Sequence, residues 1–321
     1  MKRPIVTLNL PEYKIQQLHK KGYIFCEDVD IETIRSVAGI TIEEWKKLTV
    51  NTNTITALDL CQIESDNSHI VSFSQAFDEL LGQGIPVKSI TEICGLAGTG
   101  KTQICLQLSI SVQIPICFGG LAGHSVYIAT NFSLTPHRLS EIAKGCIQHC
   151  HLVANKYNSF EMMESIKEFT EISIMNGVHC QHINNFVKLL ASVPLLKKLL
   201  SNNSKIRLIV IDNISQVVKS TKLEYFERIK ILYTYFSDLQ KLAHIYNFAI
   251  VLTNNLTTKI NNKENSFVPC FGDSFAHRNN NRILLKRKSE NHFSATSFKC
   301  VLNSETTINF QIVQNGIRDI R

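Results

Sequence analysis

Eight consecutive residues, Gly95-Leu-Ala-Gly-Thr-Gly-Lys101-Thr102, have the spacing of a loop that wraps a chain of phosphates. The glycines let backbone amides curl around phosphate oxygens without a side chain in the way. Lys101 supplies a point charge for the β and γ phosphates, and the Thr102 hydroxyl is a ligand for Mg²⁺. An apolar strand precedes the loop and an amphipathic helix follows it, which is the context the motif requires. The sequence therefore predicts a site for ATP and Mg²⁺ formed by Gly95, Ala97, Gly98, Thr99, Gly100, Lys101, Thr102 and Gln103.

A second chemical position is the carboxylate that ends the apolar run Leu208-Ile-Val-Ile-Asp212. Apolar strands ending in Asp are common, so this pattern alone is weak. Downstream of a phosphate loop it indicates an acid that holds Mg²⁺ beside the nucleotide. We therefore expect Asp212 and Thr102 to lie together on the Mg²⁺ side of the site.

Two polar, basic segments follow the later strands. Residues 215–225 carry Lys219 and Lys222, and residues 254–280 carry Lys259, Lys263 and Arg278 among many Asn and Ser. Segments at the carboxyl edge of a parallel sheet often carry function, and basic polar ones suit single-stranded nucleic acid. The alternative is two solvated loops. Only the length of the second, about 25 residues predicted without structure, argues against that alternative.

The elements that must position these residues alternate between strand and helix from about residue 70 onward. Buried strands are predicted at 89–94, 125–129, 179–183, 206–211 and 248–253, and helices at 103–112, 137–150, 186–200 and 225–243. Such alternation predicts an α/β fold with a mostly parallel sheet flanked by helices. Runs at 282–285, 295–302 and 307–313 predict antiparallel strands added at the C-terminal edge.

A small all-helical unit is predicted at residues 1–50, followed by a polar linker at 51–69 and the ATP-binding core at 70–321. Thr41 and Glu44 have the spacing of a capping box at the start of a helix. The short helices joined by Ala38-Gly39-Ile40 resemble a helix-hairpin-helix, whose turn amides can hold a phosphate. A small docking or packing bundle is an equally good interpretation.

Composition sets broader limits on the partners and the compartment. The net charge of +7 permits a polyanionic partner but does not require one. No apolar run is long enough for a transmembrane helix, and the N-terminus lacks the apolar region of a signal peptide. We therefore expect no membrane partner and a chain with reduced thiols. The group Cys146, His149, Cys150 and His151 matches no standard zinc spacing, and buried thiols on a helix are the better interpretation.

The segment TEICGLAGTGKTQICLQLSISVQIPICFGGLAG resembles the eukaryotic RecA-like strand-exchange recombinases, and most of all their C-type DNA-repair paralogue. Further matching segments are AKGCIQH, SKIRLIVID, LTN with TTKI, and GIRD. The resemblance covers roughly residues 10–320. It implies a RecA-type P-loop ATPase core in which the phosphate loop and Asp212 hold ATP and Mg²⁺.

The resemblance also implies further site residues and partners. It places Arg138 on the adenine side, a first DNA loop near residues 219–228 and a second near 258–280. The DNA-binding candidates are then Lys219, Lys222, Arg228, Lys259, Lys263 and Arg278. Members of this family bind single-stranded or branched DNA, assemble with sister paralogues, and support loading of the main recombinase in homologous recombination. The implied location is the nucleus, with the cytoplasm as a second compartment.

Departures from the family pattern concern hydrolysis and self-assembly. Asn131 stands where the family has the Glu that activates water, and Phe132 follows it in place of a glycine. Asn255 replaces the Gln that senses the γ-phosphate, and Thr54 stands where the linker aromatic is expected. An amide cannot accept a proton from water. The departures put hydrolysis and filament formation in doubt and leave nucleotide binding intact.

Three functional interpretations follow. The first is a nucleotide-dependent assembly subunit for recombinational repair, with hydrolysis that is slow, absent or dependent on a partner. The second is an active DNA-dependent ATPase that forms strand-exchange filaments. The third is a nucleotide-gated scaffold with little DNA contact.

Overall fold

The computed structural model describes residues 4–8, 10–39, 41–49, 56–65, 68–131, 134–260, 265–300 and 306–320. The chain divides into two compact units, Met1–Asp66 and Asn67–Arg321. Three residues singled out by the sequence, Thr54, Phe132 and Lys263, lie outside the described residues.

The first unit is built from short helices. They are α1 (Glu12–Lys20), α2 (Ile31–Thr33) with a π-helical extension at Ile34–Ala38, α3 (Ile42–Thr49) and α4 (Ala57–Ser65), with 3-10 turns at Ile5–Thr7 and Cys26–Asp28. Leu18, Ile34 and Trp45 belong to its buried apolar cluster. The predicted capping box is confirmed, because the Thr41 amide donates to Glu44 at 2.9 Å and the Glu44 amide donates to the Thr41 hydroxyl at 3.2 Å.

Helix α4 falls within the segment that composition predicts as a linker. Its first turn is capped in the same way as α3, since the Thr56 amide donates to Asp59 at 3.1 Å and the Asp59 amide donates to the Thr56 hydroxyl at 3.1 Å. Residues 57–65 of the predicted linker are therefore helical. The polar residues that suggest a linker include Thr56 and Asp59, which form the cap that starts this helix.

The second unit is organised around a nine-stranded sheet in the order β13-β12-β11-β10-β3-β7-β6-β4-β5. The strands are β3 (Ile90–Gly95), β4 (His124–Ala129), β5 (Val178–His182), β6 (Ile206–Asp212), β7 (Ala249–Asn254), β10 (Asn281–Arg287), β11 (His292–Lys299), β12 (Thr307–Val313) and β13 (Gly316–Asp319). Two small pairs stand apart from it, namely β1 (His69–Ile70) with β2 (Ile85–Pro86), and β8 (Leu256–Ile260) with β9 (Asn265–Pro269).

The mostly parallel sheet with an antiparallel C-terminal edge confirms the predicted α/β architecture. The first strand of the tail, β10, pairs parallel with β3 on one side and antiparallel with β11 on the other, and β11 to β13 continue antiparallel. The reason is the long connection after β7, which returns the chain to the amino end of β3 before β10 begins.

Helices cover both faces of this sheet. They are α5 (Gln75–Leu80), α6 (Lys101–Ser111), α7 (Pro136–Tyr157), α8 (Phe160–Glu168), α9 (Glu171–Asn176), α10 (Phe186–Asn202), α11 (Ile214–Lys219), α12 (Tyr225–Tyr246) and α13 (Gly272–Ala276). One buried cluster contains residues of α5 to α9, and a second contains residues of α10 to α13. Cys146 and Cys150 are buried in the first cluster, as expected for small apolar side chains. No helix in the described part of the chain is long and apolar enough to span a bilayer.

The two segments predicted as loops contain regular structure. Residues 214–219 form α11, whose first turn is capped by the Asn213 side chain accepting from the Ser215 amide at 2.9 Å. The second segment contains the antiparallel hairpin β8–β9 and the short helix α13. The prediction of a structureless stretch was wrong because β-branched residues at 257, 258 and 260 favour a strand.

Candidate functional site

The loop between β3 and α6 has the backbone of a phosphate cradle. Gly98 (φ 77°) and Gly100 (φ 88°) occupy the left-handed region, where a side chain is strained. A Cβ on Gly95 would lie 2.4 Å from the Thr99 hydroxyl oxygen and 2.9 Å from the Leu285 carbonyl oxygen. The loop therefore depends on glycine for both its conformation and its close packing.

Lys101 begins α6 and extends back under this loop. Its side chain is buried, and its Nζ donates to the carbonyl oxygens of Gly95 at 2.7 Å and Leu96 at 2.8 Å. Burial lowers the pKa of Lys101, and the carboxylate of Asp212 opposes that shift. Ala97 lies at the exposed tip of the loop. The ammonium is thus held by two carbonyls that phosphate oxygens can replace.

Asp212 ends β6 and accepts three hydroxyl groups. Its Oδ2 accepts hydrogen bonds from the hydroxyls of Thr102 and Tyr127, each at 2.7 Å, and its Oδ1 accepts one from the hydroxyl of Thr253 at 2.6 Å. The structure therefore brings together the two residues predicted for Mg²⁺, and their adjacent hydroxyl and carboxylate oxygens are the ligand type that Mg²⁺ prefers. Burial, followed by the Asp212 charge, raises the pKa of Tyr127. Sequence reasoning missed Tyr127, although a phenol within an apolar strand was a visible signal.

Asn131 follows β4 at the same edge of the sheet. The preceding Thr130 ties this segment to β6, since its amide donates to the Asp212 carbonyl at 2.7 Å and its hydroxyl accepts from the Asn213 amide at 2.7 Å. Asn131 itself is half-buried. The position expected to activate water therefore directly follows a residue that is hydrogen-bonded to the Mg²⁺-side aspartate, and it carries an amide.

Asn255, the predicted γ-phosphate sensor, follows β7. Its Oδ1 accepts from the Asn213 side chain at 2.8 Å, and its amide lies 3.4 Å from the Ser215 hydroxyl oxygen. The side-chain amide of the neighbouring Asn254 donates instead to Glu92 on β3, at 2.7 Å. The ends of β4, β6 and β7 thus meet through these hydrogen bonds at the carboxyl edge of the sheet.

Arg138, the predicted adenine-side residue, is bonded to the phosphate-loop helix. Its Nε donates to Gln103 at 2.7 Å, and its Nη1 donates to Glu141 at 2.8 Å. The remaining donors reach the carbonyl oxygens of Val313 at 2.7 Å and Gln314 at 2.6 Å. Protein acceptors therefore use all three guanidinium nitrogens.

The phosphate loop opens into a cavity of about 360 Å³, here called the P-loop cavity. Residues 98–103 form one side of it. The other side comes from the β10–β11 hairpin and β12, namely Arg287, Glu290, Asn291, Phe293 and Ile312. A Cβ on Gly100 would lie 2.6 Å from the Ile312 Cδ1, so this wall is in close contact with the loop. Sequence reasoning missed these five residues, because no local motif marks them.

The residues predicted for DNA lie on two neighbouring segments. Lys219 ends α11 and Lys222 follows it, both exposed, whereas Arg228 is partly buried on α12. Lys259 is exposed on β8, and the guanidinium of Arg278 lies 4.5 Å from the centre of the Tyr233 ring.

Hydrogen bonds join these two segments. The Tyr225 hydroxyl, at the start of α12, donates to the Phe271 carbonyl at 3.0 Å, just before α13. The structure therefore places the two predicted DNA segments side by side.

Comparisons with known proteins agree with this architecture. The model of the Rad51 family matches residues 65–320. DNA repair protein RAD51 homolog 3 from Cricetulus griseus is 38% identical over 264 residues, which are 82% of this chain and 72% of that protein. The protein of the same description from Dictyostelium discoideum is 31% identical over 280 residues, or 84% of this chain and 71% of that protein. DNA repair and recombination protein RadA from Aeropyrum pernix is 29% identical over 320 residues, or 95% and 92% of the two chains. These matches confirm the resemblance that the motifs predict.

Proposed function

The chain belongs to the Rad51 family, and from this premise we propose that it is an ATP-binding recombinase paralogue that hydrolyses ATP weakly or not at all. It acts in recombinational DNA repair as a subunit of a complex of sister paralogues and supports loading of the main recombinase. Asn131 follows Thr130, whose amide is bonded to Asp212, and it stands where a water-activating acid is expected; this is the observation that carries the proposal.

ATP with Mg²⁺ fits the residues of the P-loop cavity. The glycine backbone supplies amides to the phosphates, and Lys101 exchanges its two loop carbonyls for phosphate oxygens. Thr102 and Asp212 supply oxygen ligands to the metal. Bound Mg²⁺ neutralises charge on the β and γ phosphates.

Hydrolysis needs a group that orients and deprotonates water, and such a group contributes roughly 10²–10⁴-fold to the rate. Asn131 orients water through its amide but cannot take the proton. Asp212 already accepts three hydroxyls. Glu290 is the acid among the described residues of the P-loop cavity, and it lies on the β10–β11 turn rather than after β4. Bound ATP is therefore retained.

Retained ATP favours an assembly role over a motor role. A nucleotide that stays bound stabilises the conformation or interface that binds it, by an amount that rises with the logarithm of its concentration relative to its Kd. A sister paralogue that supplies an acid in trans would restore turnover. Resemblance to the C-type paralogue supports sister chains as the partners.

DNA contact is proposed for the paired segments around α11 and β8. Lys219, Lys222 and Lys259 are exposed, and the Tyr225–Phe271 bond keeps their segments adjacent. Exposed ammonium groups suit the backbone of single-stranded or branched DNA. We propose that the protein acts in the nucleus, because its DNA partner is there. The cytoplasm is proposed as a second compartment. Fluorescence microscopy of the tagged chain tests that location.

Co-purification tests the assembly role. The tagged chain is expressed with the other Rad51-family chains of its source, and the complex is isolated with ATP–Mg²⁺, with ADP or without nucleotide. We expect ATP to raise the recovery of sister chains and Lys101→Ala to abolish that gain. Lys198→Ala, which removes an exposed lysine on α10, is the matched control. Equal recovery with Lys101→Ala and the unaltered chain would contradict nucleotide-dependent assembly.

A further inference from the structure

A second cavity lies between α5, α7 and the 3-10 turn at Ile116–Phe118. It measures about 350 Å³, close to the volume of the P-loop cavity, and the two share no lining residue in the described part of the chain. We call it the α5–α7 cavity. Its apolar wall comes from Val71, Phe73, Ile114, Phe118 and Val153. The cavity is therefore able to cover an apolar chain of several carbons.

The charge of this cavity is negative. Asp78 and Glu79, both on α5, line it, and its described lining includes no lysine or arginine. His149 on α7 lines it as well, and burial followed by the charge of Arg318 lowers the pKa of this histidine, which keeps it neutral at pH 7. Because the whole chain carries a net charge of +7, two carboxylates without a cation are a local exception. The cavity therefore favours a cation over an anion.

Asp78 is the half-buried carboxylate of the pair, whereas Glu79 is exposed. Both oxygens of Asp78 accept from the Ser72 amide, at 2.9 Å and 3.1 Å, and a carboxylate has lone pairs beyond those two bonds. Burial raises the pKa of Asp78 to about 7, and the charge of Asp319 adds to the rise. A cation beside Asp78 would offset this cost of burial, because it stabilises the ionised carboxylate.

Phe73 contributes its ring to this wall from a strained backbone conformation. Its φ of 69° lies in the left-handed region, which a bulky residue seldom adopts and which costs roughly 1–3 kcal/mol. The Ser74 amide donates to the Ser72 hydroxyl at 3.2 Å and holds the turn from both sides. The guanidinium of Arg318 already lies over the Phe73 ring, 5.1 Å from its centre. Residue 73 therefore keeps an aromatic ring at the cavity at an energetic cost, and such rings attract cations.

We propose that the α5–α7 cavity receives a lysine or arginine side chain from a partner protein. Such a side chain has an apolar stem and a cationic head. The stem packs against Phe73 and Phe118, and the head reaches Asp78. The exposed side-chain amides of Gln75 and Gln83 line the same cavity and supply donors and acceptors to the main chain of the partner segment. The site goes beyond the proposed ATP-binding role, because it needs neither a nucleotide nor DNA.

Ligand-observed NMR titration with Nα-acetyl-lysine amide at pH 8 tests this site. We expect saturable binding that Asp78→Asn weakens about fivefold or more, because it removes a charge-assisted hydrogen bond. Asp238→Asn, which removes a carboxylate on α12 beside Lys241, is the matched control and should bind as the unaltered chain does. Nα-acetyl-norleucine amide has the same four-carbon stem without the ammonium, and it should bind the unaltered chain about fivefold more weakly or worse.

The pH dependence of this binding is a second measurement that needs no variant. The affinity of the unaltered chain for Nα-acetyl-lysine amide should rise about fivefold or more between pH 5.5 and pH 8, because Asp78 ionises near pH 7 while the ammonium stays charged. The other charged groups around the cavity are Glu79 on α5, His149 on α7, and Arg318 and Asp319 on β13. His149 loses its proton over part of the same range, so His149→Gln should keep the rise that Asp78 causes.

Four results would overturn the proposal. They are unchanged affinity in Asp78→Asn, equal binding of the lysine and norleucine probes, a flat pH profile, and equal or tighter binding of n-pentylamine. The last probe has the stem and the ammonium but no main chain, so such a result would assign the cavity to a free amine. The pH profile decides the matter if Asp78→Asn fails to fold. None of these results bears on ATP binding, because the described walls of the two cavities have no residue in common.

Discussion

The side-chain amide of Asn213 donates to the side-chain oxygen of Asn255 at 2.8 Å, joining the ends of β6 and β7. Asn213 also accepts from the Ser215 amide at 2.9 Å and the Ser215 hydroxyl at 2.7 Å, which caps α11. Helix α11 ends at the exposed Lys219. A continuous set of contacts therefore runs from the predicted γ-phosphate sensor to the first basic segment.

Asn255→Ala should uncouple DNA affinity from the nucleotide. We expect the unaltered chain to bind a dT oligonucleotide at least about fivefold more tightly with ATP–Mg²⁺ than without, in the usual range of coupling between two sites. The variant should bind equally well in both conditions, as measured by fluorescence anisotropy. Asn184→Ala, at an exposed position, should keep the difference. A full nucleotide effect in Asn255→Ala would refute this route of coupling.

Tyr127→Phe should lower stability without abolishing nucleotide binding. The lost hydrogen bond runs from a buried phenol to the Asp212 carboxylate at 2.7 Å and is charge-assisted, so we expect a loss of about 1.5–3 kcal/mol. Tyr235→Phe is the matched control, because its buried hydroxyl pairs with the neutral Ser192 hydroxyl at 3.2 Å and should cost about 0.5–1.5 kcal/mol. Urea denaturation measures both. An equal or smaller loss for Tyr127→Phe would show that the bond to Asp212 has no special strength.

Asp78 should make the protein less stable as pH rises from acid to neutral. Burial raises the pKa of Asp78 from 3.8 to about 7, against the two hydrogen bonds it accepts from the Ser72 amide. The contribution of the protonated Asp78 carboxyl to folding stability is full below the unfolded pKa near 3.8. It is lost as pH rises towards 7.

Asp78→Asn cannot ionise and should escape that loss. The free energy of unfolding of Asp78→Asn minus that of the unaltered chain should be larger at pH 8 than at pH 4.5, as measured by urea denaturation. Asp238→Asn, on the exposed face of α12 beside Lys241, is the control and should show a much smaller change. A pH-independent difference between Asp78→Asn and the unaltered chain would contradict the raised pKa.

Lys219→Gln with Lys222→Gln should weaken DNA binding and reduce its dependence on salt. Each phosphate contact to a single strand contributes about 0.7 to the slope of log K against log salt. Losing two contacts should therefore flatten the slope by about twice that amount, as measured by anisotropy over a range of salt concentrations. Lys197→Gln with Lys198→Gln on α10 is the control of equal charge. An unchanged slope would favour solvated loops and the scaffold interpretation.

The parts of the site that sequence predicted are those encoded locally or by strand order. Residues 95–102 form a contiguous motif, and Asp212 ends a strand that parallel topology brings to the same edge. The position of Asn131 was predicted from the family pattern, which has its water-activating Glu just after the neighbouring strand. The boundaries of the five central strands differ from the prediction by at most one residue, because long apolar runs leave little freedom in placement. The edge strand predicted at 295–302 is observed three residues earlier, at His292–Lys299.

The parts that sequence missed depend on contacts between distant segments. Arg287, Phe293 and Ile312 reach the P-loop cavity only because β10 pairs with β3 and carries the antiparallel edge beside the loop. Helix α11 and the β8–β9 hairpin were misread as loops, because polar Asn and Thr residues act there as caps and strand formers. Composition alone does not distinguish those roles.

The most direct test is the rate of ATP hydrolysis, measured with single-stranded DNA on a preparation whose bound ATP is quantified at the same time. We predict saturable ATP binding with turnover at least about a hundredfold below a typical kcat of about 10 s⁻¹. Asn131→Glu should raise the rate about tenfold or more by supplying a base, whereas Asn184→Glu should not. DNA-stimulated turnover near the typical value, unchanged by Asn131→Glu, would contradict the claim that this chain holds ATP rather than consuming it.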